Sequence, residues 1–149
     1  MGTVEAGPSP GGMAAWRAFL EAHACVTERL EQELAAEFTL PLPWYDVLVQ
    51  LQEAEGQRLR MTELAGAVLL SKSGLTRLID RMLSAGLVER EADPRDRRGI
   101  YVCLTEAGYG RLREAAPAHL QGVEEHFARY LSEDEARVIA TALGRVARG

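Results

Sequence analysis

From Met13 to about Phe38, Trp16, Phe19, Leu20, His23, Val26, Leu30 and Leu34 return at three- and four-residue spacings. That spacing gathers them on one stripe and predicts a long amphipathic helix over 13–38. Leu40-Pro41-Leu42-Pro43 ends it, because each proline disfavours helix at the residue before it and is well suited to open the next one. Trp44, Val47, Leu48 and Leu51 predict a second helix ending near Gly56, and Leu59 to Met61 a short strand. Thr62 is read as the N-cap of a helix through Val68. Ser71 is read as the cap of another that carries Leu75, Leu78, Ile79, Met82 and Leu83 to a stop at Gly86.

Beyond Gly86 the period drops to two. Val88 to Ala92 and Ile100 to Leu104 read as strands joined by Asp93-Pro94-Arg95-Asp96-Arg97-Arg98-Gly99, a hairpin with a charged tip. Thr105 caps a long helix with Tyr109, Leu112, Ala116, Leu120, Val123, Phe127 and Tyr130 at the spacing of a helix-helix seam, kinked at Pro117. Ser132-Glu133-Asp134-Glu135 has the form of a capping box and opens a last helix through Ile139, Leu143 and Val146. Residues 1–12, with two prolines, four glycines and almost no large apolar side chain, read as a flexible tail.

Two short helices followed by a charged hairpin form a winged helix-turn-helix, whose second helix has the width to enter a DNA major groove. On that helix the apolar residues share one arc, and Lys72, Ser73, Thr76, Arg77, Asp80, Arg81 and Ser84 share the other. Ser71, Lys72, Ser73 and Gly74 stand at its N-terminus, where unpaired backbone amides attract a phosphate. Arg77 can meet guanine as a fork and Thr76 a base edge, whereas Lys72 suits a phosphate. Arg95, Arg97 and Arg98 at the hairpin tip suit the negative potential of a minor groove, with Asp93 and Asp96 read as partners that hold one loop arginine. A solvated polar helix face and a solvated hairpin tip are the plain alternatives.

Charge sharpens this picture. The net charge of −5 argues against a phosphate-binding protein, yet residues 58–98 carry nine basic against six acidic side chains, and the remainder eight against sixteen.

The runs Arg60 to Ala65, Leu70 to Met82, Gly86-Leu87-Val88, Asp93 to Arg98 and Leu104 to Gly108, in this order, resemble the MarR family of transcriptional regulators, and with the flanking helices the likeness covers 13–148. The turn reads Val68-Leu69-Leu70, without the glycine that many members place there. The resemblance implies a mainly α fold with a small β hairpin, with a winged helix-turn-helix lobe over 42–104 and dimerisation helices over 13–38 and 105–148. It also implies a homodimer on a pseudo-palindromic duplex, most often a repressor. Major-groove contacts fall on Ser71, Lys72, Ser73, Thr76 and Arg77, and wing contacts on Arg95, Arg97 and Arg98. A small phenolic effector would be bordered by Trp16, Phe19, His23, Trp44 and Tyr45, although aromatic residues at helical spacing equally make core. Some relatives sense oxidants through a cysteine of the first helix, a role that would fall to Cys25. Its place halfway along that helix favours a buried structural thiol instead.

Cys25 and Cys103 lie far apart with no metal-ligand spacing, so neither a metal nor a disulfide framework is expected. No glycine-rich phosphate loop or nucleophile elbow points to an enzyme, and no cofactor is implied. The N-terminus lacks a signal-peptide pattern, and no apolar run reaches the roughly 18 residues of a membrane span, so a cytoplasmic protein is expected. The rival reading is a winged-helix interaction module that does not bind DNA.

Overall fold

The structure, a computed structural model, describes residues 6–68 and 72–149. Among the described residues six α-helices and three strands follow in the order α1 (Pro10–Phe38), α2 (Leu42–Glu53), β1 (Arg58–Arg60), α3 (Met61–Val68), α4 (Lys72–Ser84), β2 (Val88–Ala92), β3 (Ile100–Leu104), α5 (Glu106–His126) and α6 (Glu133–Arg148). The chain divides into two compact units, residues 33–121 and residues 1–32 with 122–149.

The 33–121 unit holds the winged helix-turn-helix. Its sheet has the order β1-β3-β2, both pairs antiparallel, with Arg60 opposite Tyr101 and Val88 opposite Leu104. α2 packs on α3 and on β3, and α4 packs on β2. Leu48, Leu51, Leu64, Leu75, Ile79, Met82, Val88 and Val102 are among its fully buried side chains. Burying each large aliphatic side chain contributes about 1.5–3 kcal/mol, so this small lobe has a real core. Gly86 ends α4 with φ 74°, which lets the amide of Leu87 donate to the carbonyl of Met82 at 3.0 Å. Thr105 caps α5 as expected: its Oγ1 accepts from the amide of Gly108 at 3.0 Å and donates to the Gly86 carbonyl at 2.7 Å. Gly108 allows that close approach, since a Cβ there would collide with the Leu87 carbonyl oxygen.

In the other unit, Ser132 and Glu135 close the expected capping box at the start of α6. None of the residues of α6 is buried.

Several boundaries differ from the sequence expectations. α1 starts at Pro10, inside the segment read as tail. Ser9 accepts from the amide of Gly12 at 3.0 Å and Pro10 takes the first helical position, which offsets the helix-breaking tendency of Gly11 and Gly12. α2 ends at Glu53 and a short 3-10 turn, Glu55–Gln57, carries the chain to a strand that starts at Arg58. Thr62 is not the cap of α3: the helix already begins at Met61, and Glu63 accepts from the backbone amide of Arg60 at 3.4 Å. α5 continues through Pro117 as expected but ends at His126, so Phe127 and Tyr130, read as part of that helix, lie beyond it, Tyr130 in a short 3-10 turn over Ala128–Tyr130.

Candidate nucleic-acid interface

α4 sorts its residues as its amphipathic pattern requires. Leu75, Ile79 and Met82 are buried, while Ser73, Thr76, Arg77, Asp80, Arg81 and Ser84 are exposed. The expected contact and cap at Ser71 lies outside the described residues, and Lys72 is the first residue of α4. The one acidic side chain of the helix, Asp80, is paired with Arg90 of β2 at 2.5 Å, which ties α4 to the sheet. Arg77 and Arg81 pair with no carboxylate among the described residues. The exposed face of α4 therefore presents polar groups and two available guanidinium groups, with its negative charge already neutralised.

The hairpin tip is an ordered loop. The amide of Asp93 donates to the carbonyl of Gly99 at 3.0 Å, and the amide of Gly99 donates to that of Asp96 at 3.0 Å. Each aspartate also accepts from an amide two residues on, Asp93 from Arg95 at 2.9 Å and Asp96 from Arg98 at 3.0 Å. Asp93 is buried, and its partner is Arg60 of β1, whose guanidinium also lies 3.6 Å from Asp96. This corrects the expectation that the two aspartates hold a loop arginine. Arg60 stands opposite Tyr101 in the sheet, so its side chain emerges on the face from which the loop is reached. Hydrogen bonding to Tyr101 and the nearby Asp93 and Asp96 charges push the Arg60 pKa up still further. Arg95, Arg97 and Arg98 are exposed, and their guanidinium groups make no ion pair among the described residues. Next to Arg60, Arg58 lies 4.3 Å over the Tyr101 ring and pairs with Glu91 at 3.1 Å.

The five candidate effector residues fall in both units. On α1, Trp16, Phe19 and His23 make a ladder of rings with successive centroids 6.1 Å apart, and all three are exposed. In the 33–121 unit Trp44 is half-buried, whereas Tyr45 is buried with its ring 4.2 Å from that of His119. Cys25 is exposed, not buried, because the stretch of α1 around it lies before the first core residue of the helix, Leu30. Cys103 donates to Glu91 at 3.4 Å, and partial burial with that carboxylate pushes its thiol up to about 11, the opposite of a reactive cysteine. Among the described residues no group of three or more His, Cys, Asp or Glu could hold a metal, and no helix is long and apolar enough to cross a membrane.

A helix-turn-helix backed by a three-stranded sheet with a cationic loop defines this protein as a winged helix-turn-helix protein. The comparisons carry the assignment to a family. The MarR family model matches residues 38–99. AbsC, a MarR family transcriptional regulator from Streptomyces coelicolor, is 38% identical with a TM-score of 0.88, and the match covers 96% of each chain. Sco3205 from the same organism, a MarR family transcriptional regulator in complex with DNA, is 30% identical with a TM-score of 0.90, covering 99% of this chain and 92% of that one. The transcriptional repressor YetL of Bacillus subtilis is 31% identical over 91 residues, and this match spans 61% of the chain but only 54% of YetL. The chain belongs to the MarR family of transcriptional regulators.

Proposed function

We propose that the protein represses transcription by binding a pseudo-palindromic DNA duplex as a homodimer. The observation that carries this reading is the exposed face of α4, where Ser73, Thr76 and Arg77 line up opposite the buried Leu75, Ile79 and Met82. In this reading α4 enters the major groove, Arg77 forks onto a guanine, and Lys72 with the start of the helix meets phosphate. Arg95, Arg97 and Arg98 reach the flanking minor groove and its phosphates. Similarity to Sco3205 in complex with DNA, and to the repressor YetL, supports the partner and the direction of control.

The second copy covers apolar surface that this chain exposes. Trp16, Phe19 and Leu20 on α1 and Val138, Leu143 and Val146 on α6 all face solvent in the single chain. We assign the ring ladder of α1 to that seam and Tyr45 to the core. Release of DNA by a small phenolic or aromatic effector belongs to the same proposal, and loss of binding on titration with phenolic carboxylates is its test. The reading as a whole is tested by selecting duplexes from a random pool with purified protein, and by light scattering of the protein itself. The expected result is a dimer with half-sites about 10 base pairs apart. A monomer at micromolar concentration with no preferred duplex overturns the proposal and leaves the interaction-module reading.

A further inference from the structure

We propose that Arg60 is the positioning residue of the wing, holding both carboxylates of the 93–99 loop away from Arg95, Arg97 and Arg98. This rests on the DNA-binding reading and adds to it a residue outside both the recognition helix and the loop.

The loop itself sets up a conflict. Two aspartates and three arginines lie within six consecutive residues, so the cations nearest in sequence to Asp93 and Asp96 are the ones a DNA contact needs. Left alone, the loop can neutralise itself. The structure resolves this by occupying both oxygens of each carboxylate. Oδ1 of Asp93 accepts from the amide of Arg95 and its Oδ2 pairs with Arg60; Oδ1 of Asp96 accepts from the amide of Arg98 and its Oδ2 faces Arg60 at 3.6 Å. A planar guanidinium can span two carboxylates at once, which an ammonium point charge does less well.

Two further observations show that the arrangement is built. The Asp93 side chain is only 3% exposed, and a carboxylate so far from water requires a cationic partner. Gly99 closes the loop against that pair: a Cβ there would sit 3.1 Å from Cβ of Asp93 and 3.4 Å from a terminal nitrogen of Arg60. Arg60 is itself located by β1, with its guanidinium 5.5 Å from the Tyr101 ring.

The test uses the full chain, with Arg60→Ala, Arg60→Lys, and Arg60→Ala combined with Asp93→Asn and Asp96→Asn. Hydrogen exchange of the Arg95, Arg98 and Gly99 amides reads the loop in the free protein. Binding to the selected duplex over a salt series reads the available cations. Arg60→Ala should speed exchange at these amides by at least about tenfold while leaving α4 amides unchanged. It should also weaken binding at least about tenfold and flatten the salt dependence, because the freed carboxylates turn onto the loop arginines. The triple variant should regain the wild-type salt slope, since asparagine still accepts from the loop amides but holds no arginine. Arg60→Lys should fall between wild type and Arg60→Ala in both readouts, and it carries the test should Arg60→Ala unfold. Unchanged loop exchange in these variants overturns the proposal, as does a loss of affinity equal at every salt concentration. If wild type binds no duplex, the DNA-binding reading falls, and the exchange measurements still decide whether Arg60 holds the loop.

Discussion

The two units of this chain treat most of their large apolar residues in opposite ways, although Ile100, Tyr109 and Leu120 of the 33–121 unit are also exposed. In the 33–121 unit Leu40, Leu48, Leu51, Leu64, Leu75, Ile79 and Val102 are all completely buried. In the other unit Trp16, Phe19, Leu20, Phe127, Tyr130, Val138, Leu143 and Val146 remain exposed, and Leu30 is its one buried large hydrophobic among the described residues. The sequence patterns of the two are alike, since a stripe at helical spacing marks α4 and α6 equally. The difference is where the covering surface comes from: β2 and α3 cover α4 within its own unit, whereas α6 has none of its residues buried. The winged lobe therefore carries its own core, and in the proposed dimer the helical unit is finished by association.

The strongest way to break this comparison is to delete core volume on each side. Ile79→Ala should cost about 2–5 kcal/mol of unfolding free energy in urea, with no dependence on protein concentration. Leu143→Ala removes similar atoms from a site that is 40% exposed in the single chain. Its effect should shrink as the protein is diluted toward monomer. Equal losses at all concentrations would mean that α6 is covered within its own chain.

A charge on the helical unit sharpens the point. Leu143→Glu should weaken dimerisation by about 2 kcal/mol or more, as for an anchor residue in an interface, while leaving the fold of the winged lobe intact. Sedimentation and circular dichroism on the same sample separate the two effects. Binding to a two-half-site duplex should fall further than binding to a single half-site, because only the former depends on linkage between copies. A variant that stays dimeric and binds normally places the interface elsewhere.

Within the winged lobe, helix and loop should fail differently. Arg77→Ala should cost about 1–3 kcal/mol and relax preference at one base pair per half-site. Arg97→Ala should weaken all sequences alike and reduce the log-log salt slope by up to about one unit. Titration of matched and mismatched duplexes over a salt series tells them apart, and a reversed pattern exchanges the roles of helix and wing.

Much of this lobe was legible in the sequence because its signals are local. The period of 3.6 in α4, its stop at Gly86, the alternation of β3 and the cap at Thr105 all involve residues a few positions apart, as does the capping box at Ser132 in the other unit. What the sequence hid is long-range or weakly patterned. The Arg60–Asp93 pair joins residues 33 positions apart, through a three-residue strand too short to show a period. Its only trace is the alternation Arg58-Leu59-Arg60, which puts two cations on one sheet face. The aspartates had nearer arginines in sequence, and proximity in sequence was the wrong guide. At Ser9-Pro10 a sound helix start was outweighed by two following glycines, and at Met61 a glutamate reaching back to the strand replaced a hydroxyl cap. The exposure of Cys25 depends on what covers α1, which no local pattern encodes.

The smallest expected effect lies in the core of the winged lobe and concerns pH. His119 of α5 packs its ring against Tyr45, and its Nδ1 is buried with no hydrogen-bond partner among the described residues. Burial away from water holds its pKa below the ordinary 6.5, more than the charge of Glu33 draws it up. The folded state thus resists protonation that the unfolded chain accepts. Stability linked to this imidazole is fully present above the unfolded pKa and is lost as pH falls from there through the depressed folded value. Unfolding free energies from urea at about pH 7.5 and about pH 5 should therefore fall more steeply in wild type than in His119→Phe, which keeps the ring contact and cannot titrate. The comparison cancels the titrating groups that do not couple to this ring. Parallel losses in both proteins would mean that water or another partner reaches Nδ1.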